Sequence, residues 1–262
     1  MKYLTVCSVV KDEPYLPEWV EYHRLVGVEQ ICLYDGGTFT AASVLKKQIA
    51  EGFVKIIMFP GANVQLSAYN HYLKHYGDQS RWIAFIDADE FVVPKTSNDL
   101  RILLQNYEEF GGLGVSWLIF GSSYHIYPTS GLQIENYTLR SRNDFKENRH
   151  IKSIVQSDCV LTTTGNAHAF VYNPRYYCVN EAYEPISGPF SRNTTEVIQL
   201  NHYHLRSYTD FLNKMQRGPA DGVSYLKPER FFQCDRVANE VYDDCILRFA
   251  PYVKDRLRKL YS

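Results

Sequence analysis

The sequence predicts an α/β protein with a mostly parallel, Rossmann-like central sheet that carries helices on both faces. Apolar runs rich in β-branched and aromatic residues alternate with helix-like segments through the first third of the chain, which is typical of a doubly wound sheet. Polar residues follow the strands, among them Lys11, Asp35 and Asp87. Because parallel strands end at one edge of the sheet, that edge is predicted to bind ligands.

Four strands are predicted in the first half, at residues 3–10, 30–34, 54–59 and 82–86. A helix begins near Leu16, keeps its apolar side chains on one face, and has Gly27 as a natural C-terminal cap. Further helices are predicted at residues 40–50 and 63–75. The order is therefore β-α-β-α-β-α-β.

The second half has a less regular pattern. Asn98 or Asp99 is predicted to cap a short helix through residue 106, and Ser207 to begin a helix through about 217. Strands are predicted at residues 115–120, 151–155 and 197–205, and helices at 131–140 and around 239–260. Residues 162–190 match no single pattern.

Composition excludes several classes of protein. A formal net charge of −1 gives no electrostatic basis for binding nucleic acid or anionic membranes. No apolar run is long enough to span a bilayer, and the first residues enter a strand pattern at once, so a cytoplasmic protein is expected. The six cysteines form no CxxC pair, which argues against a zinc ribbon and fits a reducing compartment.

An acidic cluster follows the buried strand at residues 82–86. Asp87, Asp89 and Glu90 stand between two apolar segments, where neighbouring carboxylates repel and are costly to desolvate. A divalent cation such as Mg²⁺ or Mn²⁺ would offset that cost. The sequence has no glycine-rich dinucleotide fingerprint and no P-loop, so a metal is expected to neutralise much of a bound diphosphate. The alternative is a solvated acidic turn.

Five segments in order resemble motifs of glycosyltransferase family 92 and related family-2-like glycosyltransferases. They are residues 10–23 (VKDEPYLPEWVEYH), 27–36 with its Gly-Val and Tyr-Asp pairs, 82–91 (WIAFIDADEF), 152–155 (KSIV) and 201–207 (NHYHLRS). The resemblance extends over residues 10–218. Asp12, Gly36 and Arg206 depart from the family pattern, which usually has Asn, Asn and Lys there.

The resemblance implies a single GT-A domain over residues 1–262. Its parts are a nucleotide-sugar half at 1–94, an acceptor half at 95–218 and a C-terminal helical extension at 219–262. It also implies inverting transfer of a sugar, with a UDP-hexose favoured as donor, to a hydroxyl group of a glycan or of another acceptor. Mn²⁺ or Mg²⁺ is the expected cofactor.

Site residues follow from the resemblance and from position in the predicted sheet. Asp87, Asp89, His202 and His204 are the candidate metal ligands, with His202 favoured over His204 by the family motif. The candidate donor-site residues are Lys11, Asp12, Glu13, Asp35, Gln65, Tyr69, Asn70, Asp87, Ala88 and Lys152. The alternative for most of them is that they are ordinary polar residues of the surface or the core, with no part in binding a donor.

Inverting transfer requires a general base to take the proton of the acceptor hydroxyl. Asp144, Glu147 and Glu135 are candidates, and the sequence does not choose among them. Trp117, Tyr124 and the loop at residues 121–123 are candidates for the acceptor site, because sugars stack on aromatic rings.

Two other functions compete with glycosyl transfer. A nucleotidyltransferase that makes nucleotide sugars usually needs a glycine-rich basic loop after the first strand, and residues 11–14 lack glycine. A non-catalytic sugar-binding module would not need Asp87, Asp89 and His202 together.

Overall fold

The computed structural model describes residues 1–38, 40–218 and 227–261. Strands and helices alternate through the first part of the chain, as predicted. The elements are β1 (Lys2–Val10), α1 (Leu16–Leu25), β2 (Gln30–Asp35), α2 (Thr40–Val44), α3 (Lys46–Ala50), β3 (Val54–Met58), α4 (Gln65–Tyr76) and β4 (Ser80–Phe85).

The remainder has ten strands, most of them short, and five α-helices among the described residues. The elements are β5 (Glu90–Pro94), α5 (Leu100–Leu104), β6 (Gly112–Ile119), α6 (Gln133–Asn136), β7 (Leu139–Arg140), β8 (Ile151–Gln156), β9 (Val160–Thr163), β10 (Phe170–Tyr172), β11 (Cys178–Val179), β12 (Pro185–Ile186), β13 (Ile198–His202), α7 (Tyr208–Arg217), α8 (Pro228–Ala238), β14 (Val241–Tyr242) and α9 (Ala250–Tyr261).

The main sheet has the strand order β12-β11-β6-β8-β4-β1-β2-β3. The pairs β1–β2, β1–β4 and β2–β3 are parallel, whereas β8 runs antiparallel to both of its neighbours, β4 and β6. Strand β13 joins this sheet beside β6 and also pairs antiparallel with β5. The predicted α/β class with a large, mostly parallel sheet is confirmed.

Apolar side chains of β1 alternate between the two faces of the sheet, as the period of a strand requires. Val6 and Val10 pack in the cluster that contains Trp19 of α1, whereas Cys7 and Val9 pack in the cluster that contains Tyr72 of α4. Helices therefore cover both faces, which leaves the carboxyl edge of the parallel strands open.

Three predicted helices differ in the structure. The helix predicted at residues 40–50 is divided into α2 and α3 at Leu45. The helix predicted at 131–140 is wrong beyond Asn136, because Leu139 and Arg140 form β7. The helix predicted around 239–260 begins only at Ala250, because Val241 and Tyr242 form β14, the antiparallel partner of β7. Pairing between distant segments overrides the local helical pattern in the last two cases.

The predicted C-terminal extension at residues 219–262 is described in part. Helices α8 and α9 belong to it, and Val253 of α9 packs in the same cluster as Trp19 of α1. Residues 219–226 and 262 lie outside the described residues. The division of the chain into donor, acceptor and C-terminal parts stays a prediction.

Candidate active site

A cleft of about 470 Å³ lies at the carboxyl edge of the parallel strands. The register of the sheet places the ends of its strands side by side, with Val10 at the end of β1 opposite Asp35 at the end of β2. Several predicted site residues line the cleft: Lys11, Glu13, Gln65, Asp87, Ala88, Asp89, Trp117, Glu147, Lys152, His202 and His204.

Strand β13 brings the C-terminal half of the chain to the acidic cluster. It pairs antiparallel with β5, so that His202 lies opposite Glu90, and the Tyr203 backbone N–H donates to the Asp89 carbonyl at 2.9 Å. As a result, His202 Nε2 is 3.6 Å from Asp89 Oδ1. Backbone pairing thus explains how two segments far apart in sequence meet at one point.

Asp89, His202 and His204 form a candidate metal site. Each offers one ligand atom, and these atoms lie within 4.8 Å of one another. Asp89 and His202 are buried, and His204 is half-buried. One carboxylate oxygen and two imidazole nitrogens form a donor set that suits Mn²⁺ and other divalent first-row metals. Asp87, also predicted as a ligand, is not part of this group.

The charge states of these three side chains suit a metal. Burial acts to raise the pKa of Asp89, but the nearby Lys214 and His202 hold it well below its ordinary value, so the carboxylate is ionised. Burial lowers the pKa of His202, and burial with the charge of Lys214 lowers the pKa of His204 further. Both imidazoles are therefore neutral at neutral pH and have a nitrogen lone pair for a cation.

Asp87 belongs to a separate cluster around Lys152. Lys152 Nζ donates to Asp87 Oδ2 at 2.8 Å, and Gln65 Nε2 donates to Asp87 Oδ1 at 2.6 Å. Glu90 is fully buried, accepts from the Asp87 backbone N–H at 2.7 Å, and lies 3.7 Å from Lys152. Burial opposes the charge of Lys152, but Asp87 and Glu90 hold its pKa above the ordinary value.

Other predicted donor-site residues have partners outside the cleft. Asp35 accepts from the backbone N–H groups of Gly37 and Thr38 at 2.9 and 3.0 Å, which closes its own turn. The Asn70 side chain bonds Thr162 and Thr163.

Glu13 and Asp12 follow β1 and contact the C-terminal half, where Arg217 donates to the Asp12 backbone carbonyl. Glu13 pairs with Arg206 at 2.6 Å and with Arg217 at 3.3 Å. Asp12 has a φ of 48° and accepts a 2.7 Å hydrogen bond from Thr40. Its left-handed backbone suits Asn or Asp better than most residues, which explains why Asp is tolerated where the family usually has Asn.

Tyr69 stays close to the cleft although it does not line it. Its ring is fully buried, and its hydroxyl accepts from Gln65 Nε2 at 3.1 Å. Because Gln65 also bonds Asp87, Tyr69 helps to orient the amide that contacts the acidic cluster.

The three candidate bases differ in position. Glu147 is half-buried and lines the cleft. Asp144 is largely exposed and pairs with Arg142, and Glu135 pairs with Lys254 of α9. Of the three, only Glu147 belongs to the cleft lining.

The candidate acceptor residues also differ in whether they line the cleft. Trp117 lines the cleft, with His202, His150 and His168 at ring-centroid distances of 4.4, 4.8 and 5.1 Å. Tyr124 is 74% exposed. The loop before it is held by α8, since Ser122 donates to Asp235 at 2.8 Å.

Several residues that line the cleft were not predicted from the sequence, among them Lys214, Arg217, His150 and His168. Lys214 Nζ is 2.6 Å from Asp89 Oδ2. The sequence offered one indication of Lys214 and Arg217. Their spacing of three places both cations on one face of α7, the helix that follows β13. The two histidines follow no motif and reach the cleft through β8 and the loop after β9.

The fold and the cleft define the class: an α/β protein with acidic, imidazole and basic side chains together at the carboxyl edge of its sheet. The chain belongs to glycosyltransferase family 92, whose sequence model matches residues 2–242. The family resemblance predicted from the motifs is confirmed.

Curated relatives include glycosyltransferase family 92 proteins from two plants. The Ricinus communis protein is 27% identical over 230 residues, and the Arabidopsis thaliana protein is 27% identical over 241 residues. Each alignment covers 84% of this chain and 38% of the relative. This chain thus corresponds to well under half of the length of those relatives.

Solved structures that match parts of this chain include TarS 1–349 from S. aureus, with a TM-score of 0.46 and 12% identity over 90% of this chain and 69% of that chain. The same TarS segment in complex with UDP has a TM-score of 0.39 and 14% identity, covering 60% of this chain and 47% of that chain. Likeness at this level says nothing about ligands of the present protein.

Over residues 1–38, 40–218 and 227–261, no helix combines the length and the apolar composition that crossing a bilayer requires.

Proposed function

We propose that this chain is a metal-dependent, inverting glycosyltransferase that moves a hexose from a UDP-sugar to a hydroxyl group of a glycan. The observation that carries the proposal is the convergence of Asp89, His202 and His204 within 4.8 Å at the carboxyl edge of the sheet. Membership of family 92 supports glycosyl transfer over nucleotidyl transfer or simple sugar binding. The UDP-hexose donor is proposed from the family resemblance alone.

Asp89, His202 and His204 are proposed to hold Mn²⁺ or Mg²⁺. Such an ion, when bound, neutralises the diphosphate and stabilises it as a leaving group. Their protonation states fit this role, since the carboxylate is ionised and both imidazoles are neutral. In this assignment Asp87 has another role, which is to position Gln65 and Lys152 beside the nucleotide.

Basic residues of the cleft are proposed to bind the diphosphate. Lys11, Lys214 and Arg217 line the cavity from the end of β1 and from α7, and cations at these positions attract phosphate oxygens. The predicted division of labour, with residues 1–94 binding the donor and 95–218 the acceptor, is retained as part of this proposal.

Glu147 is proposed as the general base. Its carboxylate takes the proton of the acceptor hydroxyl while the hydroxyl oxygen attacks the anomeric carbon. The bond between that carbon and the diphosphate oxygen breaks, and the electron pair leaves with the diphosphate. Attack from the face opposite the leaving group inverts the configuration. Trp117 lines the cleft and offers a ring against which a sugar can stack.

The proposal is tested with a panel of nucleotide sugars incubated with the chain and Mn²⁺. Release of UDP from one or more UDP-hexoses is expected, and Asp89→Asn is the matched inactive control. Release of pyrophosphate from a nucleoside triphosphate and a sugar phosphate would indicate a nucleotidyltransferase instead. Saturable sugar binding with no nucleotide release would indicate a binding module.

The base assignment has its own test. Glu147→Gln preserves size and removes the proton acceptor, so kcat is expected to fall by about 10²-fold or more, with little change in UDP affinity measured by calorimetry. Asp144→Asn, which alters an exposed carboxylate paired with Arg142, is the control. If Asp144→Asn lowers kcat more than Glu147→Gln does, Glu147 is not the base.

A further inference from the structure

Lys214 places a positive charge among the candidate metal ligands. Its Nζ is 2.6 Å from Asp89 Oδ2 and 3.5 Å from His204 Nδ1. One ammonium group therefore contacts two of the three side chains that are proposed to hold the ion.

A lysine ammonium and a divalent ion compete at such a site. The ammonium has no lone pair to offer a metal, and two cations about 4 Å apart repel strongly even at an effective dielectric constant of about 20. Asp89 can thus hold the lysine or the ion closely, but holding both is unfavourable.

Lys214 differs from the neighbouring arginines in its carboxylate partner. Arg206 and Arg217 both pair with Glu13, whereas Asp89 is the carboxylate that lies within ion-pair distance of Lys214 in the described part of the chain. The Lys214 side chain is 19% exposed and lines both the cleft and an adjoining cavity. Its flexible four-carbon stem allows the ammonium to change partners.

We propose that Lys214 is an internal cation that occupies Asp89 until a nucleotide diphosphate arrives, and then moves from Asp89 to the diphosphate. A divalent ion can then bind Asp89 in its place. This inference rests on the proposed function, since it assumes that Asp89 is a metal ligand.

The consequence is coupling between the nucleotide and the metal. If the Lys214–Asp89 pair is formed in about 90% of the free molecules, it raises the apparent Kd for the ion about tenfold. A diphosphate that binds Lys214 removes this competition and lowers the apparent Kd for the ion about tenfold. By linkage, the bound ion lowers the Kd for the nucleotide by the same factor. Free protein would therefore bind metal weakly, and the complete site would form only with the donor present.

The experiment is a titration of Mn²⁺ followed by the electron paramagnetic resonance signal of the free ion, with and without UDP. Lys214→Met is expected to bind Mn²⁺ alone about tenfold more tightly than wild type. UDP is expected to increase Mn²⁺ affinity about tenfold more in wild type than in the variant. Lys214→Gln provides a second variant, and circular dichroism confirms that each is folded.

Lys11→Met is the matched control, because it removes one positive charge from the same cleft at a residue that forms no ion pair with Asp89 within the described part of the chain. Its effect on Mn²⁺ affinity without UDP should be clearly smaller. Equal Mn²⁺ affinities of wild type and both Lys214 variants in the absence of UDP would overturn the inference, and this comparison does not depend on UDP being the correct nucleotide.

A further variant, Asp89→Asn, separates this inference from the proposed function. If Asp89→Asn loses Mn²⁺ binding while the Lys214 variants match wild type, the metal site stands and competition by Lys214 is wrong. If Asp89→Asn binds Mn²⁺ as wild type does, both are wrong.

Discussion

Asp87 and Asp89 stand two residues apart and belong to different networks. Asp87 faces Lys152 and Gln65, from β8 and α4, and shares the lysine with the buried Glu90. Asp89 faces His202 and Lys214, which arrive with β13 and α7. The first network has its own cation, Lys152, which is buried in the sheet. The second has one cation, Lys214, together with the imidazoles of His202 and His204, and it is the group proposed to hold the metal ion.

This difference indicates that one short acidic motif combines two tasks. The Asp87 network is expected to maintain the fold and the shape of the cleft, and the Asp89 network to bind the cofactor. Each of the following predictions tests one side of this contrast.

The largest effect is expected at Asp89. Asp89→Ala removes the carboxylate of the candidate metal site, so transfer should fall by about 10³-fold or more, beyond the cost of losing a single oxyanion donor. The fold should survive, as circular dichroism can verify. Full activity of the folded variant in a UDP-release assay would refute the assignment.

Lys152 should matter most for stability. Lys152→Met leaves Glu90 and Asp87 without their shared cation, and breaking a buried ion pair costs about 3–5 kcal/mol. Because Asp87 is partly exposed, the free energy of unfolding measured in urea should fall by about 3 kcal/mol, the lower end of this range. Added Mn²⁺ should raise the unfolding free energy of Lys152→Met no more than it raises that of the wild type, because the Asp89 site is unchanged. In Lys214→Met, by contrast, Mn²⁺ should raise it more than in the wild type, because a ligand that binds the native state more tightly stabilises it more. The same response to Mn²⁺ in both variants would contradict the contrast.

His202 and His204 should differ in their effect on turnover. His202→Ala is expected to lower kcat by about 10²-fold, because its Nε2 approaches Asp89 across the β5–β13 pairing. His204→Ala should have a smaller effect, since its Nδ1 faces Lys214. Steady-state kinetics at saturating Mn²⁺ measures both. If His204→Ala is the more damaging change, the two roles are reversed.

The smallest predicted effect is a pH dependence on the Asp87 side. Burial and the charge of Lys152 lower the pKa of His168 to about 3, whereas an unfolded histidine titrates near 6.5. The unfolded state therefore binds more protons below pH 6.5, and stability falls as the pH drops toward 3. Because of this imidazole, the free energy of unfolding should fall by about 1 kcal/mol between pH 7 and pH 5.5.

His168→Gln removes that contribution and should flatten the decline in unfolding free energy over this interval, measured by urea unfolding at both pH values. His71→Gln is the control, since that imidazole lies near the surface of α4 and should change the slope less. An unchanged slope in His168→Gln would mean that His168 titrates normally in the folded state.

Local patterns predicted the first half of the fold well, because each strand and helix there is defined by its own residues. The short strands β7, β9, β10, β11, β12 and β14 were missed because each is defined by its pairing with another segment rather than by its own residues. Strand β5 was missed for a related reason, since the apolar residues 91–94 become a strand only beside β13.

The site was predictable where a motif fixed it. The role of Asp89 and His202 as metal ligands stays a prediction, but both residues and a cleft at the sheet edge were anticipated from sequence. Lys214 was not, because no pattern distinguishes a lysine on a solvated helix face from one that contacts Asp89. Asp35 was assigned to the donor site from its position at a strand end, yet its carboxylate closes its own turn. Strand order predicts an edge, but side-chain partners depend on packing across the whole chain.

The most direct test of the account compares Mn²⁺ binding by Asp89→Asn and Asp87→Asn in the presence of UDP. Both changes remove one negative charge from the same motif and preserve side-chain size. Asp89→Asn should lose detectable Mn²⁺ binding, and Asp87→Asn should retain most of the wild-type affinity even if its stability is lower. Retained binding in Asp89→Asn together with loss in Asp87→Asn would contradict the division of the motif into a cofactor side and a structural side.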